Sequence, residues 1–169
     1  MTAKTLEDES VLERPERRAL RLKKILVPID FSPPSKNAFK IAVRFAAEFG
    51  GELTLLYVLE AASMTGYLAI PEATAFVEGD IVAAGKHLRS LIASVRNEKI
   101  KQPHWKVRAG FPSHEIVEVA KDADFDLIVI ATHGYTGWKH FCIGSTAERV
   151  VRAAPCPVLV VREKEHEFC

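Results

Sequence analysis

The sequence has little that would cross-link the chain, bind a metal or hold it in a membrane. Its three cysteines, Cys142, Cys156 and Cys169, are odd in number and form no Cys-x-x-Cys pair or zinc-binding pattern. We therefore expect free thiols in a reducing compartment and no metal site. Apolar runs are short and interrupted by charge, and the first residues lack the apolar core of a signal peptide. These absences predict a cytoplasmic protein without a membrane partner.

An excess of charge of either sign is also absent. The chain has 23 Lys and Arg residues against 22 Asp and Glu residues, which gives a formal net charge of +1. So small a balance gives no reason to expect nucleic acid as a partner. With 169 residues, of which 48% are hydrophobic, the chain is long enough to bury the core of one domain without disulfide or metal support.

The composition divides the chain into a central domain and two charged tails. Residues 1–22 are rich in both acids and bases and contain Pro15, so we interpret them as a flexible tail. Residues 163–169 form a second flexible tail. Between them, residues 23–162 alternate between apolar runs and patterns with a period of 3.6. The runs predict strands at 24–30, 53–59, 105–109, 125–131 and 158–161, and a helix follows each of the first four, the second of them spanning about 74–99.

Strict alternation of strands and helices predicts a Rossmann-like α/β fold, with a five-stranded parallel sheet and helices on both faces. In such sheets the ligand crevice lies at the carboxyl ends of the strands, where the winding reverses. The strand order 3-2-1-4-5 places this reversal between the first and fourth strands. The order 2-1-3-4-5 would instead bring residues 110–113 to the crevice. We prefer 3-2-1-4-5, because it brings the one long glycine-bearing loop, 131–145, to the crevice.

This loop joins an apolar strand to a helix that begins near Ser145. The first N–H groups of a helix lack intrahelical partners and carry partial positive charge, so a glycine that allows close approach makes a phosphate site there. Gly144 and Ser145 have that position. Two alternatives need no ligand: Ser145 and Glu148 could form a capping box, and Gly134 and Gly144 could be turn glycines with positive φ.

Four segments of the chain, in the same order, resemble the universal stress protein family. They are Val27-Pro28-Ile29-Asp30-Phe31-Ser32, Gly110-Phe111-Pro112, the loop 131–145 and Pro155-Cys156-Pro157-Val158-Leu159-Val160-Val161. The resemblance runs from about Lys23 to Arg162, and four ordered motifs are far more specific than one glycine pattern. It implies the adenine nucleotide alpha hydrolase-like variant of the Rossmann-like fold.

The ATP-binding branch of that family carries a glycine fingerprint, which reads Gly-x-x-Gly, nine residues, then Gly-Ser or Gly-Thr. Aligned to this chain, Ala131 stands at the first glycine, and Gly134, Gly144 and Ser145 follow with the spacing intact. The departure at Ala131 adds one methyl group. An extended strand end tolerates this methyl, whereas a position that needs positive φ does not.

The resemblance implies ATP as the cofactor, with Mg²⁺ as a possible companion. Gly134, Gly144 and Ser145 would hold the phosphates, with Thr146 beside them. His133 would either neighbour a phosphate or orient the loop through a hydrogen bond.

The base and ribose would lie at the ends of the first two strands. Asp30 would accept a hydrogen bond from a ribose hydroxyl or face the metal-phosphate group, and Val58 would offer backbone contacts to adenine. Asp30 has an alternative role as an acid that caps the first helix. The complete set of candidate cofactor-binding residues is Asp30, Val58, Ala131, His133, Gly134, Gly144, Ser145 and Thr146.

The function implied by the resemblance is that of a nucleotide-binding stress-response regulator with at most slow ATP hydrolysis. The chain has neither the Gly-x-Ser-x-Gly elbow of hydrolases nor the Gly-x-x-x-x-Gly-Lys-Ser/Thr loop of phosphoryl-transfer enzymes. The resemblance also implies a homodimer in which the apolar edge strand Val158–Val161 pairs with its twin. The competing hypothesis is a homodimeric interaction module of the same family that binds no nucleotide, which Ala131 favours and the intact spacing disfavours.

Overall fold

The computed structural model describes residues 22–60, 73–96, 98–132 and 143–162. Its elements in chain order are β1 (Lys24–Pro28), α1 (Pro33–Phe49), β2 (Glu52–Glu60), α2 (Ala73–Ala93), β3 (His104–Gly110), α3 (Pro112–Asp122), β4 (Leu127–Ala131), α4 (Ser145–Ala153) and β5 (Val158–Val161). In these parts of the chain, no helix combines the length and apolar character that crossing a membrane requires.

The five strands form one parallel sheet in the order β3-β2-β1-β4-β5, which confirms the predicted topology. The winding reverses between β1 and β4, which pair directly through Ile25 with Leu127 and Leu26 with Ile128. The helices that follow these two strands, α1 and α4, lie on opposite faces of the sheet, which opens a crevice between their starts.

Both faces of the sheet are covered by helices, and successive residues of β1 and β4 alternate between the two cores. Ile25 and Val27 face α1 and α2, whereas Leu26 faces α3 and α4. Helix α1 covers its face with a small-residue stripe and one aromatic ring: Ala38, Phe39, Ala42 and Ala46. The opposite core is filled mainly from Ile116, Val119, Ala120, Ala147 and Val150. This double cover makes the central strands a rigid base for the loops at their ends.

The outer strands are less buried. Strand β3 forms one edge of the sheet and is mostly exposed. Its Trp105 is partly covered by α2, where the Arg89 guanidinium lies 5.5 Å from the ring centroid. Strand β5 forms the other edge, and three of its four residues are only partly buried.

Three predicted boundaries differ from the structure by two residues or more. Strand β1 ends at Pro28 rather than residue 30, and at the other two a side chain competes for backbone groups. Helix α2 ends at Ala93 rather than near residue 99, since the Ser94 hydroxyl donates to the Leu91 carbonyl at 2.6 Å and the following bonds reach back only three residues. Strand β4 begins at Leu127 rather than residue 125, because the Asp126 carboxylate accepts from the Lys23 and Lys24 amides, each at 2.8 Å.

Candidate ligand-binding cleft

A cleft of about 760 Å³ lies at the carboxyl ends of β1, β2 and β4, where α4 begins. Its volume is within the range of small-molecule sites, and its position is the one expected at the reversal of the sheet. The predicted site residues Asp30, Val58, Ala131, Gly144, Ser145 and Thr146 all line it. The other two, His133 and Gly134, lie outside the described residues. The fold therefore brings six of the eight candidates to one cavity, while their roles in binding stay predictions.

The start of α4 presents backbone N–H groups to this cleft. Gly144 is the N-cap residue, and its own N–H donates to the Thr132 carbonyl at 2.7 Å. No side chain caps the helix, and the amides of Ser145, Thr146 and Ala147 have no hydrogen-bond partner among the described residues. Three donors and the positive end of the helix dipole thus point toward the cleft, which is the arrangement that binds anions.

Two alternatives would explain this segment without a ligand: a capping box formed by Ser145 and Glu148, and turn glycines with positive φ. Neither agrees with the residues that the structure describes. Ser145 is the first residue of α4 rather than its cap, and Glu148 pairs with Arg152 at 2.9 Å, so the capping box is wrong. Gly144 has φ −62° and ψ 150°, a conformation open to any residue. Backbone conformation therefore does not require a glycine at this position. Close approach of another group is the remaining reason for one.

Asp30 supports the start of α1 but does not cap it. Ser32 is the N-cap residue, and its hydroxyl accepts from the Ser35 amide at 3.3 Å. The Asp30 carboxylate in turn accepts hydrogen bonds from the Ser32 amide, at 3.0 Å, and from the Ser32 hydroxyl. The alternative in which Asp30 itself caps the helix is therefore wrong: Asp30 accepts hydrogen bonds from Ser32, the residue that does.

Val58 has the geometry for backbone contacts. The Leu56 carbonyl accepts from the Ile29 amide at 2.8 Å, so the polar groups of Leu56 point toward β1. Because backbone groups alternate along a strand, Val58, two residues later, turns its N–H and C=O the same way. Strand β1 has ended at Pro28, so these groups face the cleft instead of a neighbouring strand.

Ala131, the departure from the glycine fingerprint, lies at the buried end of β4 and is 8% exposed. It pairs with Val161 of β5, and the next amide, that of Thr132, donates to the Val161 carbonyl at 2.9 Å. Among the described residues only Phe31 and Asp124 combine a side chain with positive φ. The extended backbone at Ala131 therefore accommodates a methyl group without strain.

An aromatic cluster in the wall of the cleft was not predicted from the sequence. Phe31 adopts φ 65°, and its ring lies 5.0 Å from Tyr57 and 5.3 Å from His87, centroid to centroid. His87 lies seven residues after Asp80 on α2, with Ala83 and Ala84 between them on the cleft side, a helical spacing that could have been noticed. Nothing in the sequence announces the left-handed conformation of Phe31, which is rare for an aromatic residue.

The electrostatic environment of this wall is negative. Burial raises the pKa of Tyr57, and the nearby carboxylates of Asp80, Asp30 and Glu60 raise it further. In the described parts of the chain, no group of three or more His, Cys, Asp or Glu side chains is arranged to hold a metal ion.

Comparison with known proteins gives a consistent family. The universal stress protein family model matches residues 21–162. Universal stress protein MJ0531 of Methanocaldococcus jannaschii is 34% identical over 145 residues, which cover 86% of this chain and 85% of that protein.

Solved structures agree in fold. Universal stress protein UspA from Lactobacillus plantarum superposes with a TM-score of 0.75 at 29% identity, covering 85% of this chain and 100% of that one. The protein MJ0577, whose structure was used to assign its biochemical function, superposes with a TM-score of 0.77 at 27% identity, covering 87% of this chain and 100% of that one.

Proposed function

Because the chain belongs to the universal stress protein family, we propose that its cleft binds an adenine nucleotide and that the protein regulates a stress response in that bound state. The observation that carries this proposal is the start of α4. Three backbone amides that have no partner among the described residues face the cleft at the reversal of the sheet. The residue before them is Gly144, although its backbone conformation does not require a glycine.

The cleft supports one orientation of the nucleotide. Phosphate would lie against the amides of Ser145 and Thr146, with Gly144 allowing its close approach. The base would lie at the end of β2, where the N–H and C=O of Val58 match the acceptor and donor edges of adenine. Asp30, at the end of β1 between these two regions, would accept from the ribose hydroxyls. His133 and Gly134 belong to the same fingerprint and are proposed to complete the phosphate side.

Two solved members of the same fold support the ligand class. A universal stress protein was solved in complex with cAMP and one from Archaeoglobus fulgidus in complex with dAMP. Their sequence identities to this chain are 20% and 21%, with TM-scores of 0.58 and 0.57, so the likeness is one of fold alone. This fold therefore accommodates adenine nucleotides, and the α4 geometry is the argument for this chain.

Calorimetric titration of the full chain tests the proposal. We expect ATP with Mg²⁺, or AMP, to bind with one site per chain, and GTP to bind more weakly because guanine reverses the donor and acceptor pattern facing Val58. Absence of heat and of any thermal stabilisation with every adenine nucleotide would favour the competing hypothesis, an interaction module without a nucleotide. Slow release of phosphate in the same samples would measure any hydrolysis.

We further propose that the protein is a homodimer through β5. This strand ends the sheet with the apolar run Val158–Val161, and its outer side has no strand partner within the described chain. Antiparallel pairing with a second copy would cover that edge under two-fold symmetry. Sedimentation should show a dimer, which Val160→Asp should shift toward monomer. A monomer for the unmodified chain at tens of micromolar (~50 µM exceeds the Kd of most stable dimers) would reject this arrangement.

A further inference from the structure

Among the described residues that line the cleft, the acidic side chains have no Lys or Arg counterpart. Its carboxylates are Asp30, Glu60 and Asp80, and no Lys or Arg residue is among the described residues that line it. Glu60 ends β2, and Asp80 lies across the cleft on α2. Both are exposed, and neither makes an ion pair or hydrogen bond with the described residues.

These charges act inside the cleft and not only at its rim. Tyr57 lies against Phe31 in the wall of the cleft. Burial raises the pKa of Tyr57, and the negative charges of Asp80, Asp30 and Glu60 raise it further. Opposing them, the described residues offer only the α4 dipole, whose end is equivalent to roughly +0.5 elementary charge. A metal-free nucleoside triphosphate would therefore enter a cleft whose described walls repel it.

We propose that Glu60 and Asp80 make the cleft select its nucleotide by charge, so that it binds AMP and the magnesium complex of ATP in preference to metal-free ATP. The inference rests on the proposed adenine nucleotide binding and deepens it. Each further phosphate adds negative charge to a ligand that shares the cleft with these carboxylates, and at low ionic strength the repulsion acts across the cleft. Mg²⁺ removes two charges from the ligand before it binds.

The first experiment measures Kd by calorimetry for AMP, ADP and ATP in EDTA, and for ATP with excess Mg²⁺, at low ionic strength. Affinity should fall from AMP to ADP to ATP in EDTA, by about tenfold overall, and Mg²⁺ should restore most of the loss for ATP. Added salt should strengthen metal-free ATP binding, because it screens repulsion. A phosphate site built on lysine would show the opposite salt dependence.

Neutral variants assign the effect to the two residues. Glu60→Gln and Asp80→Asn should each strengthen metal-free ATP binding by about two- to threefold, with much less change for AMP. Glu48→Gln is the matched control, since it makes the same charge change on an exposed part of α1 that does not line the cleft. It should leave every Kd unchanged, and thermal melts should confirm that all three variants fold.

The outcomes separate this inference from the function on which it rests. If AMP binds but metal-free ATP binds equally well or more tightly, or if Glu48→Gln acts like Asp80→Asn, charge selection by Glu60 and Asp80 is overturned and nucleotide binding stands. If neither AMP nor ATP with Mg²⁺ binds, the proposed function fails and this inference fails with it.

Discussion

Helices α1 and α4 both begin at the carboxyl ends of central strands, but their first turns differ in the donors they can offer. In α1 the first two positions are Pro33 and Pro34, which have no N–H. The amide of Ser35 donates to the Ser32 hydroxyl at 3.3 Å, and the amide of Lys36 donates to the Ser32 carbonyl at 3.1 Å. The start of α1 has no donor left for a ligand.

The start of α4 is built the other way. Its cap residue is Gly144, which has no side chain to satisfy the helix, and the amides of the next three residues have no partner among the described residues. A helix N-terminus at the reversal of the sheet is therefore not by itself an anion site. The residues of the first turn decide: in α1, Pro33 and Pro34 have no N–H and the Ser32 hydroxyl accepts from the Ser35 amide. In α4, Gly144 has no side chain to accept from the first amides, which stay available.

The strongest challenge to this comparison is Gly144→Val. The valine Cβ branch would stand where phosphate approaches the amides, and we expect nucleotide affinity to fall at least about a hundredfold, or ~2.7 kcal/mol. The fold should persist, since φ −62° and ψ 150° suit valine. Gly79→Val is the matched control, because nothing lies within 4 Å of a Cβ at that helical position. If both variants bind the nucleotide with equal affinity, the phosphate does not bind at the start of α4.

A pair of serine variants should separate capping from binding. Ser32→Ala removes a cap and leaves Asp30 without the hydroxyl that it accepts from, so the free energy of unfolding should fall by about 1–2 kcal/mol. Ser145→Ala removes no cap bond, so stability should change by less than about 0.5 kcal/mol. Urea denaturation measures both. A larger loss of stability from Ser145→Ala than from Ser32→Ala would mean that Ser145 caps its helix and Ser32 does not.

The smallest expected effect is that of Ala131→Gly, which restores the family fingerprint beside α4. Since Ala131 already has extended backbone in β4, nucleotide affinity should hold or rise by less than about tenfold, ~1.4 kcal/mol. Unfolding should become easier by about 0.5–1 kcal/mol, because glycine weakens a strand. Calorimetry and denaturation check the two effects. A marked loss of affinity would mean that the methyl group itself supports the ligand.

The sheet could be predicted from the sequence because its signals are local. Five apolar runs separated by helical patterns left few topologies, and the long glycine-bearing loop decided between two strand orders. The two helix starts could not be told apart in this way. Ser145 with Glu148 fits a capping box as well as any true pair does. What excludes it is the bond from the Glu148 amide to the Gly144 carbonyl at 2.9 Å, which makes Gly144 rather than Ser145 the cap residue, together with the pairing of Glu148 with Arg152.

The aromatic and acidic wall of the cleft was missed for a related reason. Phe31, Tyr57 and His87 come from three elements far apart in the chain and meet only in the folded sheet. The positive φ of Phe31 is imposed by the turn between β1 and α1, which local propensity does not favour for an aromatic residue.

Backbone amide NMR of the full chain, titrated with adenosine and then with AMP, tests most directly the claim that α4 rather than α1 holds the phosphate. The two ligands differ only by the phosphate group, so the difference between their spectra locates it. We expect this difference to be largest at the amides of Ser145, Thr146 and Ala147 and small at those of Ser35 and Lys36. A difference centred on Ser35 and Lys36, or spread evenly over the cleft, would contradict it.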